Sequence, residues 1–174
     1  FLRDGAKLLP HSGEKVERRQ TGEILKEGSP VKQRYMIIDV ALCHDCNICY
    51  MGCKDEHVGN DWTPYTGLQP RLGHRWINIE CRERGSKGRI DVACLPLPCQ
   101  HCEDAPCIKA SDGAVIRRED GIVMIDMEKA KGCKDLAESC PYGAIFYNDD
   151  LDMPQKCTFC AHLLDSGELA VPRC

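Results

Sequence analysis

Residues 43–53 read Cys43-His44-Asp45-Cys46-Asn47-Ile48-Cys49-Tyr50-Met51-Gly52-Cys53, and their spacing decides the fold. Three cysteines, each separated by two residues, can reach three corners of one four-iron cubane from a single tight loop. The fourth lies about a helical turn further on, points away from that loop and reaches a second cluster. One such run therefore implies another elsewhere in the chain that returns the ligand. Lys54 stands where a proline usually follows.

Three further runs answer it. Cys99-x2-Cys102-x4-Cys107 supplies three thiols, but its fourth position holds Ser111. Cys140-Pro141 has the form of a run's ending, yet counting back by the same spacing gives Ala130, Cys133 and Leu136. Cys157-x2-Cys160 is followed by Cys174. Reciprocal ligation pairs the first run with the fourth and the second with the third. Cys157, Cys160, Cys174 and Cys53 then form one cluster, and Cys99, Cys102, Cys107 and Cys140 a second. Cys43, Cys46 and Cys49 form a third, with a cysteine expected beyond Cys174. A fourth cluster would need positions 111, 130, 133 and 136, of which only Cys133 is a cysteine. All the missing internal ligands belong to one cluster, so the expectation is three [4Fe–4S] clusters and one empty lobe. The chain opens at Phe1 without a methionine and stops inside a motif, so further sequence is expected at one or both ends.

Fourteen cysteines in 174 residues also admit disulfides or zinc. An intact four-thiol run on one loop fits clusters better than bridges. Zinc ribbons take their cysteines in pairs, and Cys43–Cys53 offers four together. Cys81 and Cys94 fall in strand-like stretches and read as small buried hydrophobes. Cys133 reads as a vestigial ligand. His44 and His101 sit inside cysteine loops, where either could donate to a sulfur; as polar loop residues they are not assigned as ligands. Trp62 and Trp76 read as core or interface packing.

Net charge is −4 and no basic run stands out, which gives nucleic-acid binding no support. No apolar stretch reaches spanning length. Arg18-Arg19 precedes polar residues and reads as an ordinary basic pair. Clusters are assembled in the cytoplasm and no export signal is evident. The expected compartment is therefore the cytoplasm, or the periplasm if a partner's signal carries a folded complex outward.

Residues 1–34 read as a polar arm and 35–174 as the cluster-bearing domain. Strands are predicted over Tyr35–Val40, Arg75–Arg82, Arg89–Leu95 and Ala144–Tyr147. A hairpin is predicted around Asp120-Gly121, a helix from Asp126 to Ser139, and a short helix over Cys160–Leu164. The fold class is α+β: duplicated ferredoxin-like units of the bacterial 2x[4Fe–4S] type, with a long insert at 54–98 and little regular secondary structure. No Ser/His/Asp arrangement, phosphate loop or catalytic carboxylate pair is present, so the chain by itself is expected to be non-catalytic.

Cys99-Gln100-His101-Cys102, Ala105-Pro106-Cys107, Cys140-Pro141-Tyr142-Gly143-Ala144 and Lys156-Cys157-Thr158-Phe159-Cys160 resemble the iron–sulfur subunits of molybdopterin oxidoreductases of the dimethyl sulfoxide reductase type. The likeness covers roughly residues 35–174. Gly73-His74-Arg75-Trp76-Ile77-Asn78-Ile79-Glu80 and Gln155-Lys156-Cys157-Thr158-Phe159-Cys160-Ala161-His162 are most similar to the transhydroxylase branch, which also lacks the fourth cluster. The resemblance implies an electron-transfer role and a heterodimer. The large partner would carry a molybdenum or tungsten pyranopterin and act on phenolic hydroxyl groups. A subunit of an oxyanion or sulfur-compound reductase, and a stand-alone polyferredoxin, are the alternatives.

Overall fold

The computed structural model describes residues 33–174; the arm, apart from its last two residues, and the Arg18-Arg19 pair lie outside the described residues. Lys87 and Gly88 both adopt positive φ, 29° and 88°. That geometry belongs to a two-residue hairpin turn whose twist matches its strands. It joins β1 (Ile77–Ser86) to β2 (Arg89–Pro98), paired from Ser86↔Arg89 out to Ile77↔Pro98. Only the base of this hairpin is covered. Residues 80–93 are all exposed, whereas Ile77, Cys94, Pro96 and Pro98 are buried.

Asp120-Gly121 closes the second hairpin, β3 (Val115–Arg117) with β4 (Val123–Ile125). Asp120 Oδ1 accepts the Ile122 amide at 3.3 Å, and Gly121 takes φ 88°. β4 is buried throughout. The third hairpin pairs β5 (Ile145–Asn148) with β6 (Met153–Lys156). β6 is not foreseen from its Met-Pro-Gln-Lys sequence, because side-chain hydrogen bonds hold it. Gln155 Nε2 donates to the carbonyls of Gly67 and Leu68, each at 3.1 Å, and Gln155 Oε1 accepts from Asn148 at 3.0 Å.

Among the described residues, three short α-helices accompany the hairpins: α1 (Ile48–His57), α2 (Pro106–Lys109) and α3 (Ala161–Ser166). Small two-stranded sheets and few helices make this a mixed α/β fold.

Two expected elements are absent. Tyr35–Val40 forms no strand: Arg34 donates its amide to the Asp120 carbonyl at 2.9 Å, but the residues after it find no ladder partner. The apolar run remains open, with Tyr35 79% and Ile37 95% exposed. The helix from Asp126 to Ser139 also fails. Asp126 does cap a turn, with Oδ1 accepting the amides of Glu128 and Lys129. Gly132 then turns left-handed (φ 76°) and gives its amide to the Asp152 carbonyl at 2.7 Å. Beyond Gly132 the chain makes only a single 3₁₀ turn, Lys134–Leu136.

The lobe expected to be empty is filled by side chains. Ala130 and Leu136 are 0% and 3% exposed, in one apolar cluster with Cys107, Val115, Val123, Ile125 and Ile145. Ser111 Oγ donates to the Ile108 carbonyl and accepts the Val115 amide, so its hydroxyl is spent on the backbone.

Candidate metal centre

The cysteines are placed by three kinds of local structure. Cys43, Cys46 and Cys49 lie on a loop turned by Asp45 and Asn47, both left-handed (φ 58° and 57°). Asn47 donates to Asp45, and Arg75 donates to Asn47 Oδ1 at 2.9 Å, tying the loop to the stretch before β1. Cys53 stands further along α1 and is buried against Trp76 and Ile77. Cys157 and Cys160 occupy the tight turn from β6 into α3, where Phe159 and Cys160 take φ 58° and 49°.

Cys53, Cys157, Cys160 and Cys174 line one cavity, walled by Trp76, Ile77, Pro98 and Phe159. Burial pushes the Cys53 thiol up strongly, and the thiolates of Cys157, Cys160 and Cys174 push it further. Burial likewise raises Cys157 to about 12 and Cys160 to about 11. Cys99, Cys102, Cys107 and Cys140 line a second cavity with Ala105, Val123 and Ile145. Burial raises Cys102 and Cys107 there too, and Cys99 and Cys140 add to it.

The Cys43–Cys49 loop presents three thiols at the surface, with Cys46 exposed. The groups are neighbours: Cys49 and Cys157 pack against the core of Cys53, Trp76 and Ile77, and Cys99, Cys102 and Cys157 line a further cavity together.

These residues fit iron–sulfur clusters. Each cavity gathers four thiols, and burial raises Cys53, Cys157, Cys160 and Cys174 in one and Cys102 and Cys107 in the other. A bound metal core supplies the missing positive charge and deprotonates its thiols outright. A single zinc ion would need the sulfurs to converge to about 2.3 Å from one point. Among the described residues, no group of three or more His, Cys, Asp or Glu has that arrangement. Backbone amides point at two of the sulfurs, Phe159 N–H to Cys157 at 3.4 Å and Ala144 N–H to Cys140 at 3.5 Å. Such bonds tune cluster potentials.

Several other side chains now have places. His44 is exposed, with Nδ1 3.1 Å from the Leu42 carbonyl. His101 Nδ1 accepts the Val123 amide at 3.0 Å, so that nitrogen gives nothing to a sulfur. Burial lowers His101 to about 3. Trp76 is core, 1% exposed. Trp62 stacks on His162 at 4.2 Å and donates to the Glu56 carbonyl. Cys133 sits at the edge of the filled lobe.

Cys81 and Cys94 are not separate buried hydrophobes. They form a disulfide across β1 and β2, and Cys81 is exposed. Counting outward from the Lys87-Gly88 turn would have set these two positions opposite each other. Also unanticipated are the buried Glu56–His162 contact (3.1 Å) and the buried Lys156, neither of which carries a spacing signal.

The 4Fe-4S dicluster domain family matches residues 90–174. The chain is 56% identical over 146 residues to the pyrogallol hydroxytransferase small subunit of Pelobacter acidigallici, which is 83% of this chain and 53% of that protein. It is 33% identical to a tetrathionate reductase subunit of Salmonella typhimurium, over 85% of this chain and 55% of the other. It is 31% identical to the arsenate respiratory reductase iron-sulfur subunit of a Shewanella species, over 65% and 44%. The chain thus spans about half the length of these relatives. With two four-thiol cavities and a three-thiol loop, the chain is similar over most of its own length to a hydroxytransferase small subunit and to reductase iron–sulfur subunits.

Proposed function

We propose that this chain is the electron-transfer subunit of a molybdopterin oxidoreductase and carries three [4Fe–4S] clusters. One cluster is held by Cys53, Cys157, Cys160 and Cys174, and one by Cys99, Cys102, Cys107 and Cys140. The third is held by Cys43, Cys46 and Cys49 with a fourth ligand from outside the described residues. The observation that carries this reading is the gathering of thiols from distant segments around two separate cavities. Bound clusters supply one-electron redox changes at tunable potentials. The chain supplies ligation, apolar walls and neighbouring centres for outer-sphere transfer.

The two cavities, each fed by two cysteine runs, support duplicated ferredoxin-like units over residues 35–174, with residues 1–34 as a separate arm. The partner is a large chain bearing a molybdenum or tungsten pyranopterin. Its substrate is a phenolic ring, by similarity to the pyrogallol hydroxytransferase small subunit. A sulfur-compound or oxyanion reductase is the second reading, favoured by the tetrathionate and arsenate reductase relatives. Copurification of the large chain and assay against both substrate classes separates them. Among the described residues no helix is long and apolar enough to cross a membrane. We assign the complex to the cytoplasm, where clusters are assembled. The Cys81–Cys94 bridge favours the alternative, a periplasmic complex carried outward by a partner's signal, and cell fractionation separates the two.

The decisive experiment counts iron and acid-labile sulfide on full-length protein purified without oxygen. About 12 irons per chain, three four-iron clusters, supports the reading. About 16 irons would overturn the cluster pairing. Little iron with stoichiometric zinc would remove the electron-transfer role.

A further inference from the structure

β6 ends at Lys156, whose residue is 2% exposed. Its Nζ donates to the main-chain carbonyls of Val123 and, at 3.0 Å, of Cys157. No carboxylate forms an ion pair with it among the described residues. A buried cation is unfavourable unless opposite charge meets it, and two carbonyl dipoles are a partial answer. The missing counter-charge is on either side. Val123 lines the cavity of Cys99, Cys102, Cys107 and Cys140. Cys157 belongs to the other four-thiol cavity.

The neighbouring cations serve one side each or are already matched. Arg117 donates to the Cys102 carbonyl at 2.8 Å, Lys54 to the Pro70 carbonyl at 2.8 Å, and Arg173 pairs with Glu56 at 3.1 Å.

We propose that Lys156 is a fixed positive charge shared by the two four-thiol centres, raising the reduction potential of both. The proposal rests on the assignment of those thiols as cluster ligands. One-electron reduction of either centre adds one negative charge to it. A cation held between them at low dielectric favours that state, and being buried it is little screened by salt. Lys156 therefore acts as a positioning charge and touches no substrate. The carbonyls that Lys156 meets belong to none of Cys43, Cys46 and Cys49, so the third centre serves as the internal control.

The test is an EPR-monitored redox titration of the full-length protein with its partner, prepared without oxygen, as wild type and as Lys156→Gln, Lys156→Met and Lys156→Arg. Glutamine keeps a donor for the two carbonyls and drops the charge; arginine keeps the charge. In the Gln and Met variants the reduced-to-oxidised ratio of two centres at a fixed applied potential should fall about tenfold, which is 59 mV for a one-electron couple. The third centre should stay put, and Lys156→Arg should remain within about twofold of wild type. Unchanged ratios in Lys156→Gln with iron retained would overturn the proposal. So would equal shifts in the Gln and Arg variants, which would assign Lys156 a packing role. Wild-type protein without clusters would instead remove the reading beneath it.

Discussion

Replacing both Cys81 and Cys94 by alanine tests what holds the β1–β2 hairpin together. Residues 80–93 have no buried face apart from the approach to Cys94, so no core restrains the distal hairpin. The covalent bridge between directly opposed residues is its main constraint. The sequence separation is 13, and closing a loop of that size removes about 3 kcal/mol of chain entropy from the open state. At 1.4 kcal/mol per tenfold, the opening equilibrium should rise by about two orders of magnitude. Hydrogen–deuterium exchange of peptides spanning 80–93 reads this directly. The double variant should exchange about 100-fold faster there. Peptides around Trp76–Ile77 and Pro98–Cys99, at the buried base, should keep their protection. Iron content should not change, since neither cysteine lines a cavity. Equal protection of residues 82–92 with and without the bridge would refute the reasoning. It would mean that something other than the disulfide covers the hairpin.

Cys140→Ser should lower iron by about four per chain, whereas Cys133→Ser, placed in the filled lobe, should leave it unchanged; metal analysis of both variants decides. Leu136→Ala should destabilise by about 2–5 kcal/mol, because the side chain is 3% exposed within a packed cluster; thermal unfolding measures it, with iron retained. His57 is lowered to about 3, first by burial and then by His162, against about 6.5 when unfolded. The unfolded chain therefore takes up the proton first. The associated stability is present above about pH 6.5 and is lost as pH falls from there towards 3. Denaturant midpoints should fall over that window and fall less steeply in His57→Phe.

The cysteine spacings mark candidate ligands legibly, because a cluster loop is written locally in the chain. The β3–β4 hairpin was legible for the same reason: Gly121 supplies the left-handed residue that its turn requires. Elements settled by distant partners were not. Tyr35–Val40 carries a strand's composition, yet composition cannot supply a neighbouring strand. The Asp126–Ser139 stretch carries a helix's beginning, yet Gly132 bonds to Asp152 and breaks it. β6 has no strand pattern and exists because Gln155 is held by Gly67 and Leu68. Lys156 likewise gave no sign of itself, since a lysine reads as surface until the fold buries it.

The two cavities differ in how far along the chain their thiols are gathered. Cys99, Cys102, Cys107 and Cys140 come from one contiguous half, whereas Cys53 on α1 must meet Cys157, Cys160 and Cys174 at the other extreme of the described residues. Metal in the first cavity closes short loops at modest entropic cost; metal in the second closes a much longer one. The first centre thus staples one stretch of chain to itself, whereas the second acts as a clasp that joins α1 to the Cys157–Cys174 segment.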